Sequence, residues 1–316
     1  MRFSARRLSV LAAFCVLLTG CGTRAPAAGP ADRHPAATHS PVASASSGAP
    51  APTGAGAGTG AGARTGAGAA ERVPPTMAPG PGGLTPVFER RADPGAGSGT
   101  GAAAAGKTVA LTFDADMTAD QGPRAARGER FDNPALIATL RRLNVDATVF
   151  MTGRWAEEYP DQARSIGTDP RFEIANHSYS HHAFRSPCYG LPTVGRAEMA
   201  ADVERAFAAF RAAGVRNVVP YFRFPGGCYD DEALRALAPT GVTAVQWDVV
   251  SGDAFAKDAD AVARQVLDGV RPGSVVVLHC TLSAAPVTEQ AIRRIVPELR
   301  ARGYRFVKVS ELMAAS

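Results

Sequence analysis

The chain has 316 residues, 46% of them apolar, with 34 Lys and Arg against 29 Asp and Glu, a formal charge of +5. Residues 1–21 hold three arginines and no acid, 22–106 hold six arginines against four acids, and 107–316 hold 25 basic and 25 acidic residues. The excess charge therefore lies outside the only segment with domain-like texture, which excludes a basic nucleic-acid-binding domain.

At the N-terminus, Arg2, Arg6 and Arg7 precede an apolar run from Leu8 to Leu18 broken by Ser9. A bilayer span needs about 20 apolar residues, so this run suits a cleaved export signal over 1–20. Its ending, Leu18-Thr19-Gly20-Cys21, resembles a bacterial lipoprotein signal, in which the cysteine is lipidated. That resemblance implies a protein held outside the cytoplasm, on the outer face of a membrane, by acyl chains at Cys21. The alternative is an ordinary signal peptide cleaved nearby, with a small-residue site that Thr19-Gly20 half supplies. From 22 to 106, Ala, Gly and Pro fill 54 of 85 positions. Such a composition buries too little to offset chain entropy, so 21–106 reads as a disordered tether with a reach on the order of 50 Å.

From Lys107 the texture changes, and 107–316 reads as one domain. β-rich runs appear at 108–113, 147–151, 172–175, 221–224, 243–247, 274–279 and 305–309. Amphipathic segments lie at 134–143, 196–213, 230–237, 259–269 and 288–302, with a turn near 155–164. Strands alternating with helices imply right-handed βαβ units and a parallel sheet, either an incomplete barrel or an open doubly wound sheet. Both place a site at the carboxyl ends of the strands.

The polar residues with chemistry stand at those ends: Asp114 and Asp116, His177 and His181, Arg223, Asp253 and His279. His177 and His181 are four apart, so one helical turn would project both imidazoles from one face towards a metal ion. An isolated pair of this kind is also compatible with capping or surface histidines, and the strand-end acids opposite it favour metal. A carboxylate from another strand would complete the set and leave positions open for water.

Thr112-Phe-Asp-Ala-Asp116, His177-Ser-Tyr-Ser-His181, Arg223-Phe-Pro-Gly-Gly227, Trp247-Asp-Val-Val-Ser-Gly-Asp253 and Leu278-His279 resemble the five ordered motifs of the polysaccharide deacetylase (NodB homology) family. The resemblance spans 107–316. It implies a distorted (β/α)7 barrel with parallel strands and outer helices, and a divalent metal, usually zinc. It further implies hydrolysis of N-acetyl groups on amino sugars of peptidoglycan or chitin-like polysaccharide, with some relatives acting as O-acetyl xylan esterases. Carried over by motif, Asp114 is the base that deprotonates the attacking water, and Arg223 orients and charges it. His279 is the acid that protonates the leaving amine, and Asp253 positions and charges His279. His177 and His181 are metal ligands. A backbone N–H near Gly226 or Gly227 would help stabilise the oxyanion, and Val277, on the strand face of His279, is a candidate wall for the acetyl methyl.

The chain departs from the family pattern where a second acid adjacent to Asp114 would bind the metal: that position is Ala115, and the next acid is Asp116. Asp116 is expected to take over as ligand, with the chain leaving β geometry directly after Asp114. The aromatic positions of the third and fourth motifs are Gly226 and Ala254, so the groove is expected to be more open or lined from elsewhere. Of the three cysteines beyond the leader, Cys188–Cys228 is the favoured disulfide, tying the loop after the histidines to the loop after Arg223, with Cys280 free. The leading function is thus an exported, lipid-anchored, metal-dependent N-deacetylase of a cell-wall or extracellular glycan, with no nucleic acid and no obligate protein partner. The alternatives are an O-acetyl esterase and a non-catalytic glycan-binding lipoprotein.

Overall fold

The computed structural model describes residues 73–92 and 107–315. The leader, the lipidation position and most of the expected tether lie outside the described residues. The seven expected strands are present, with two more. They are β1 (Val87–Phe88), β2 (Thr108–Ala115), β3 (Ala147–Met151), β4 (Phe172–Asn176), β5 (Val218–Phe222), β6 (Thr243–Val245), β7 (Val249–Val250), β8 (Ser274–His279) and β9 (Arg305–Phe306). They form one parallel sheet in the order β1-β6-β5-β4-β3-β2-β8-β7, with β9 also pairing β2.

The alternation of β2 divides the interior from the outer layer. Val109, Leu111, Phe113 and Ala115 belong to a buried cluster that also takes in Leu136, Ile137 and Leu140 of α2 (Pro134–Arg142), Val262 and Val266 of α7 (Ala259–Gly269), and Ile292, Ile295 and Leu299 of α8 (Thr288–Ala301). Ala110, two residues from Thr112 and four from Asp114, belongs instead to a cluster with Phe150, Tyr221, Val245 and Val275. Val309, Leu312 and Met313 of α9 (Val309–Ala314) join this inner cluster. The expected strand over 305–309 is therefore shortened to two residues, because its apolar tail begins a helix that packs on the inner face.

Local chemistry sets the helix starts. Pro134 opens α2, whose first-turn Leu136 N–H donates to the Asn133 side chain at 3.1 Å. Asp258 accepts from Asp260 N–H and Ala261 N–H at the start of α7. Asp230 does the same for Ala233 N–H ahead of α6 (Asp231–Leu237).

The domain start expected at 107 is too late. Within the segment assigned to the tether, Val87 and Phe88 pair in register with Ala244 and Val245 of β6. Two residues on, Arg90 forms an antiparallel bridge with Ser274, and Arg91 N–H donates to the Gly273 carbonyl at 2.9 Å. This segment therefore spans the gap between β6 and β8. Gly273 has φ +86, and a Cβ there would lie 2.6 Å from the Arg91 carbonyl, so this approach requires glycine. Phe88, Thr85 and Arg91 are buried.

Burying one such phenylalanine contributes about 1.5–3 kcal/mol, and each backbone hydrogen bond about 1 kcal/mol. A chain begun at Lys107 is accordingly expected to melt well below one begun at Val73, or not to fold. Thermal unfolding followed by circular dichroism checks this, and equal melting temperatures would show that the segment contributes nothing.

Candidate active site

The strand ends gather the charged residues at one mouth of the barrel. Asp114 and His279 are register partners on the adjacent strands β2 and β8. Asp114 is 4% exposed, and its Oδ1 accepts from Arg223 Nη1 at 2.7 Å. Arg223 is fully buried, with its guanidinium 3.8 Å from the Phe150 ring centre, and its Nε donates to the Val245 carbonyl at 3.2 Å. Burial works against the Asp114 charge, but Arg223 above all, followed by His177 and His279, holds its carboxyl below the usual value.

Asp116 reaches the same space by a route other than the expected one. β2 does not end after Asp114 but continues through Ala115. The period of two then turns Ala115 into the outer cluster and returns Asp116 to the side of Asp114. Thr281 fixes Asp116 from β8's continuation: its Oγ1 donates to Asp116 Oδ1 at 2.8 Å and accepts from Asp116 N–H at 3.2 Å.

The histidine segment is not helical. It leaves β4 as a loop with Ser178 at φ +70 and His181 at φ +56. Asn176 Oδ1 accepts from Ser178 N–H at 2.8 Å, and Ser178 Oγ accepts from His181 N–H at 2.8 Å. The two rings still converge, with centroids 5.0 Å apart. His177 Nδ1 lies 3.0 Å from the Arg223 carbonyl; donation there leaves Nε2 as a lone-pair donor facing Asp114 Oδ2 at 3.7 Å. His181 Nε2 faces Asp116 Oδ2 at 3.8 Å. Burial lowers the His181 pKa to about 4, against an opposing pull from Asp116, so this imidazole is neutral at ordinary pH.

Two imidazoles and two carboxylates fit a divalent ion in donor type. Ligands on a tetrahedral ion with bonds of about 2.0–2.2 Å stand about 3.3–3.6 Å apart, slightly closer than either pair here. Among the described residues, no group of three or more His, Cys, Asp or Glu is gathered tightly enough to hold an ion as it stands. The donors form two opposed pairs, Asp114 with His177 and Asp116 with His181.

The other side of the mouth holds a hydrogen-bonded Asp–His pair. Asp253, 1% exposed, places Oδ1 2.8 Å from His279 Nδ1. Its Oδ2 accepts from His279 N–H at 2.8 Å and from Thr288 Oγ1 at 2.7 Å, and Ser251 Oγ donates to Oδ1 at 2.8 Å. Burial disfavours the imidazolium, but the Asp253 hydrogen bond and charge, with Asp116 and Asp114 behind them, raise the His279 pKa to about 10.

A family profile described as polysaccharide deacetylase matches residues 101–245. A chitooligosaccharide deacetylase of Sinorhizobium fredii is 31% identical over 198 residues, covering 60% of this chain and 86% of the relative. The chain belongs to the polysaccharide deacetylase family. A peptidoglycan-N-acetylglucosamine deacetylase of Bacillus cereus is 29% identical over 66% of this chain and 69% of its own length. Among solved structures, a family 4 carbohydrate esterase from Streptomyces lividans in complex with acetate superposes with a TM-score of 0.51 at 28% identity, covering 63% of this chain and 91% of that one. The family is one of hydrolases, and the parallel sheet with outer helices is its distorted (β/α)7 barrel.

Within this polysaccharide deacetylase domain the remaining expected residues fall as follows. Val277 is buried on the strand face of His279, as register with Thr112 and Val250 requires. Gly227 is corrected as an oxyanion donor: its N–H is already committed to the Phe224 carbonyl at 2.8 Å, in a turn where both glycines have positive φ. Gly226 remains the candidate of the pair. Asp248 lies at the far end of β8, bonded to Ser274 and Val275, and takes no part in the site.

Cys188 and Cys228 are bonded, and Cys280 is free and buried. Closing a loop of sequence separation 40 contributes about 4 kcal/mol in the chain-entropy account. Thr281, Ser251 and Thr288 were not singled out from the sequence. Only Thr281 carries a signal, standing two residues beyond His279 along the same strand direction.

Proposed function

We propose that the protein removes N-acetyl groups from amino-sugar residues of a cell-wall or extracellular polysaccharide, using a divalent metal, most simply zinc, held by Asp116, His177 and His181. The observation that carries this reading is the opposition of two supported groups on adjacent strands, Asp114 hydrogen-bonded by Arg223 and His279 hydrogen-bonded to Asp253. Hydrolysis of an amide needs both: a base for the attacking water and an acid for a leaving nitrogen that departs poorly as an anion. The metal, when bound, supplies Lewis-acid polarisation and lowers the pKa of water. Asp114 takes the proton from the attacking water, Arg223 keeps Asp114 charged and aimed, and His279 delivers a proton to the departing nitrogen. Val277 packs beside the acetyl methyl, and Gly226 N–H faces the carbonyl oxygen.

The relatives named chitooligosaccharide and peptidoglycan deacetylases support the amino-sugar class. An O-acetyl esterase is the second reading, supported by the esterase structure. Export and anchoring at Cys21 are part of the proposal and suit a polymeric substrate outside the cytoplasm.

The expected result is zinc-dependent acetate release, with matching free amine, from N-acetylglucosamine oligomers by the full chain. Activity confined to O-acetylated xylan would replace this reading with the esterase. No acetate from either substrate by the metal-loaded chain would leave the glycan-binding alternative.

A further inference from the structure

Five described non-glycine residues have positive φ, and four of them, Ser178, His181, Tyr189 and Phe255, lie at or beside the mouth. Ser178 and His181 are accounted for by the site. Tyr189 and Phe255 are not. Left-handed backbone disfavours bulky residues, so such outliers persist only where surrounding structure holds them.

Tyr189 sits at φ +45 and Gly190 at φ +75, in a turn closed by Leu191 N–H donating to the Cys188 carbonyl at 2.8 Å. That turn type favours Asn-Gly, not Tyr-Gly. Tyr189 is 89% exposed, so no core packing explains it. The disulfide to Cys228 brings the turn down on Gly226, where a Cβ would lie 2.7 Å from Cys188 Sγ, 3.2 Å from the Tyr189 ring and 3.5 Å from Leu191. The Tyr189 ring thus borders the space that a side chain at 226 would enter.

Across the mouth, Phe255 is held at φ +60 by its N–H donating to the Ala284 carbonyl, and is 80% exposed. Leu191 and Phe255 both line a cavity of about 230 Å³ that includes Asp116 and His181. Tyr189 therefore stands beside Gly226 and Phe255 beside the cavity that holds Asp116 and His181, two exposed aromatic residues bordering one mouth.

We propose that Tyr189 and Phe255 are substrate-positioning platforms, on which sugar rings flanking the reacting residue stack, so that the enzyme acts on oligomeric rather than monomeric glycan. The occupant rests on the glycan reading above. Pyranose rings present apolar C–H faces to aromatic rings, and two platforms either side of the reacting residue require an extended chain.

The test uses the zinc-loaded full chain, with Tyr189→Ala, Phe255→Ala and Tyr189→Phe. A pentamer of N-acetylglucosamine is used for turnover and calorimetric binding, and p-nitrophenyl acetate serves as an acetyl donor without flanking sugars. Each alanine variant is expected to weaken pentamer binding and kcat/KM about tenfold, with the kinetic loss falling mainly in KM. Turnover of p-nitrophenyl acetate should stay within twofold, and Tyr189→Phe should resemble the parent.

Pentamer binding unchanged by both alanine substitutions would overturn the proposal, as would equal losses on the two substrates. Binding of the pentamer without acetate release, weakened by the same variants, would sink the deacetylase reading and leave the platforms standing. A parent chain that does not bind the pentamer would sink both.

Discussion

Asp114→Asn is expected to reduce acetate release about 10³-fold or more while leaving a folded, metal-loaded protein. A well-placed base contributes about 10²–10⁴-fold, and Asp114 is buried, ionised and held by Arg223. Removing a partner from a buried ion pair costs about 3–5 kcal/mol, because the remaining charge is stranded. The amide still accepts from Arg223 Nη1, so the loss should be smaller than for alanine, and Asp114→Ala serves as the control for that difference. Metal content decides the role. Retained zinc with lost turnover places Asp114 as base, beside a ligand set of Asp116, His177 and His181. Loss of zinc together with turnover would instead make Asp114 a ligand, which its 3.7 Å approach to His177 Nε2 geometrically permits. Turnover within tenfold of the parent would remove Asp114 from the mechanism.

Much of this arrangement is legible in the residues, and the failures have physical reasons. Strands β3 and β8 and helix α7 begin and end where the pattern places them, because each combines an unbroken apolar or amphipathic run with clear boundary residues. β1 is hidden: two residues inside a Pro- and Gly-rich segment carry no periodicity, and their partners in β6 lie more than 150 residues later. Its strand character comes from a gap in the barrel that only tertiary structure reveals.

The route of Asp116 was open to a simpler argument. Residues i and i+2 share a strand face, so the Asp-Ala-Asp spacing itself brings both acids inward and needs no departure from β geometry. The histidine pair shows the reverse case: the four-residue spacing is correct for convergence, but the loop achieves it through left-handed residues and side-chain caps rather than helix. Gly227 illustrates a limit of motif transfer. A backbone N–H named by position can already be committed within its own turn, and only the hydrogen bond to Phe224 shows that it is.

Asp253→Asn should leave ester hydrolysis comparatively intact while strongly impairing amide hydrolysis, and should move the alkaline limit of activity downwards. His279 must be protonated to act as an acid. Its pKa near 10 keeps it so through neutral pH, and activity falls only as pH rises through that value. Burial opposes this charge, and the Asp253 hydrogen bond and charge are the largest influences overcoming it. With asparagine at 253, burial persists while those two contributions are lost, so the imidazole gives up its proton at lower pH. The alkaline limb of kcat/KM therefore shifts down from about pH 10 towards neutrality. A cation bound nearby acts on parent and variant alike and leaves the sign of the shift unchanged. Near pH 8 the amide substrate should lose about 10²–10⁴-fold, the usual contribution of a positioned acid, whereas an acetyl ester, whose alkoxide or phenoxide departs more readily, should lose less than about tenfold. Asp253→Asn must also be shown to fold, since the carboxylate holds Ser251, Thr288 and His279 N–H together. Intact ester turnover provides that control. An alkaline limb unmoved by the substitution, or equal losses on amide and ester, would show that His279 does not deliver the proton to the leaving nitrogen.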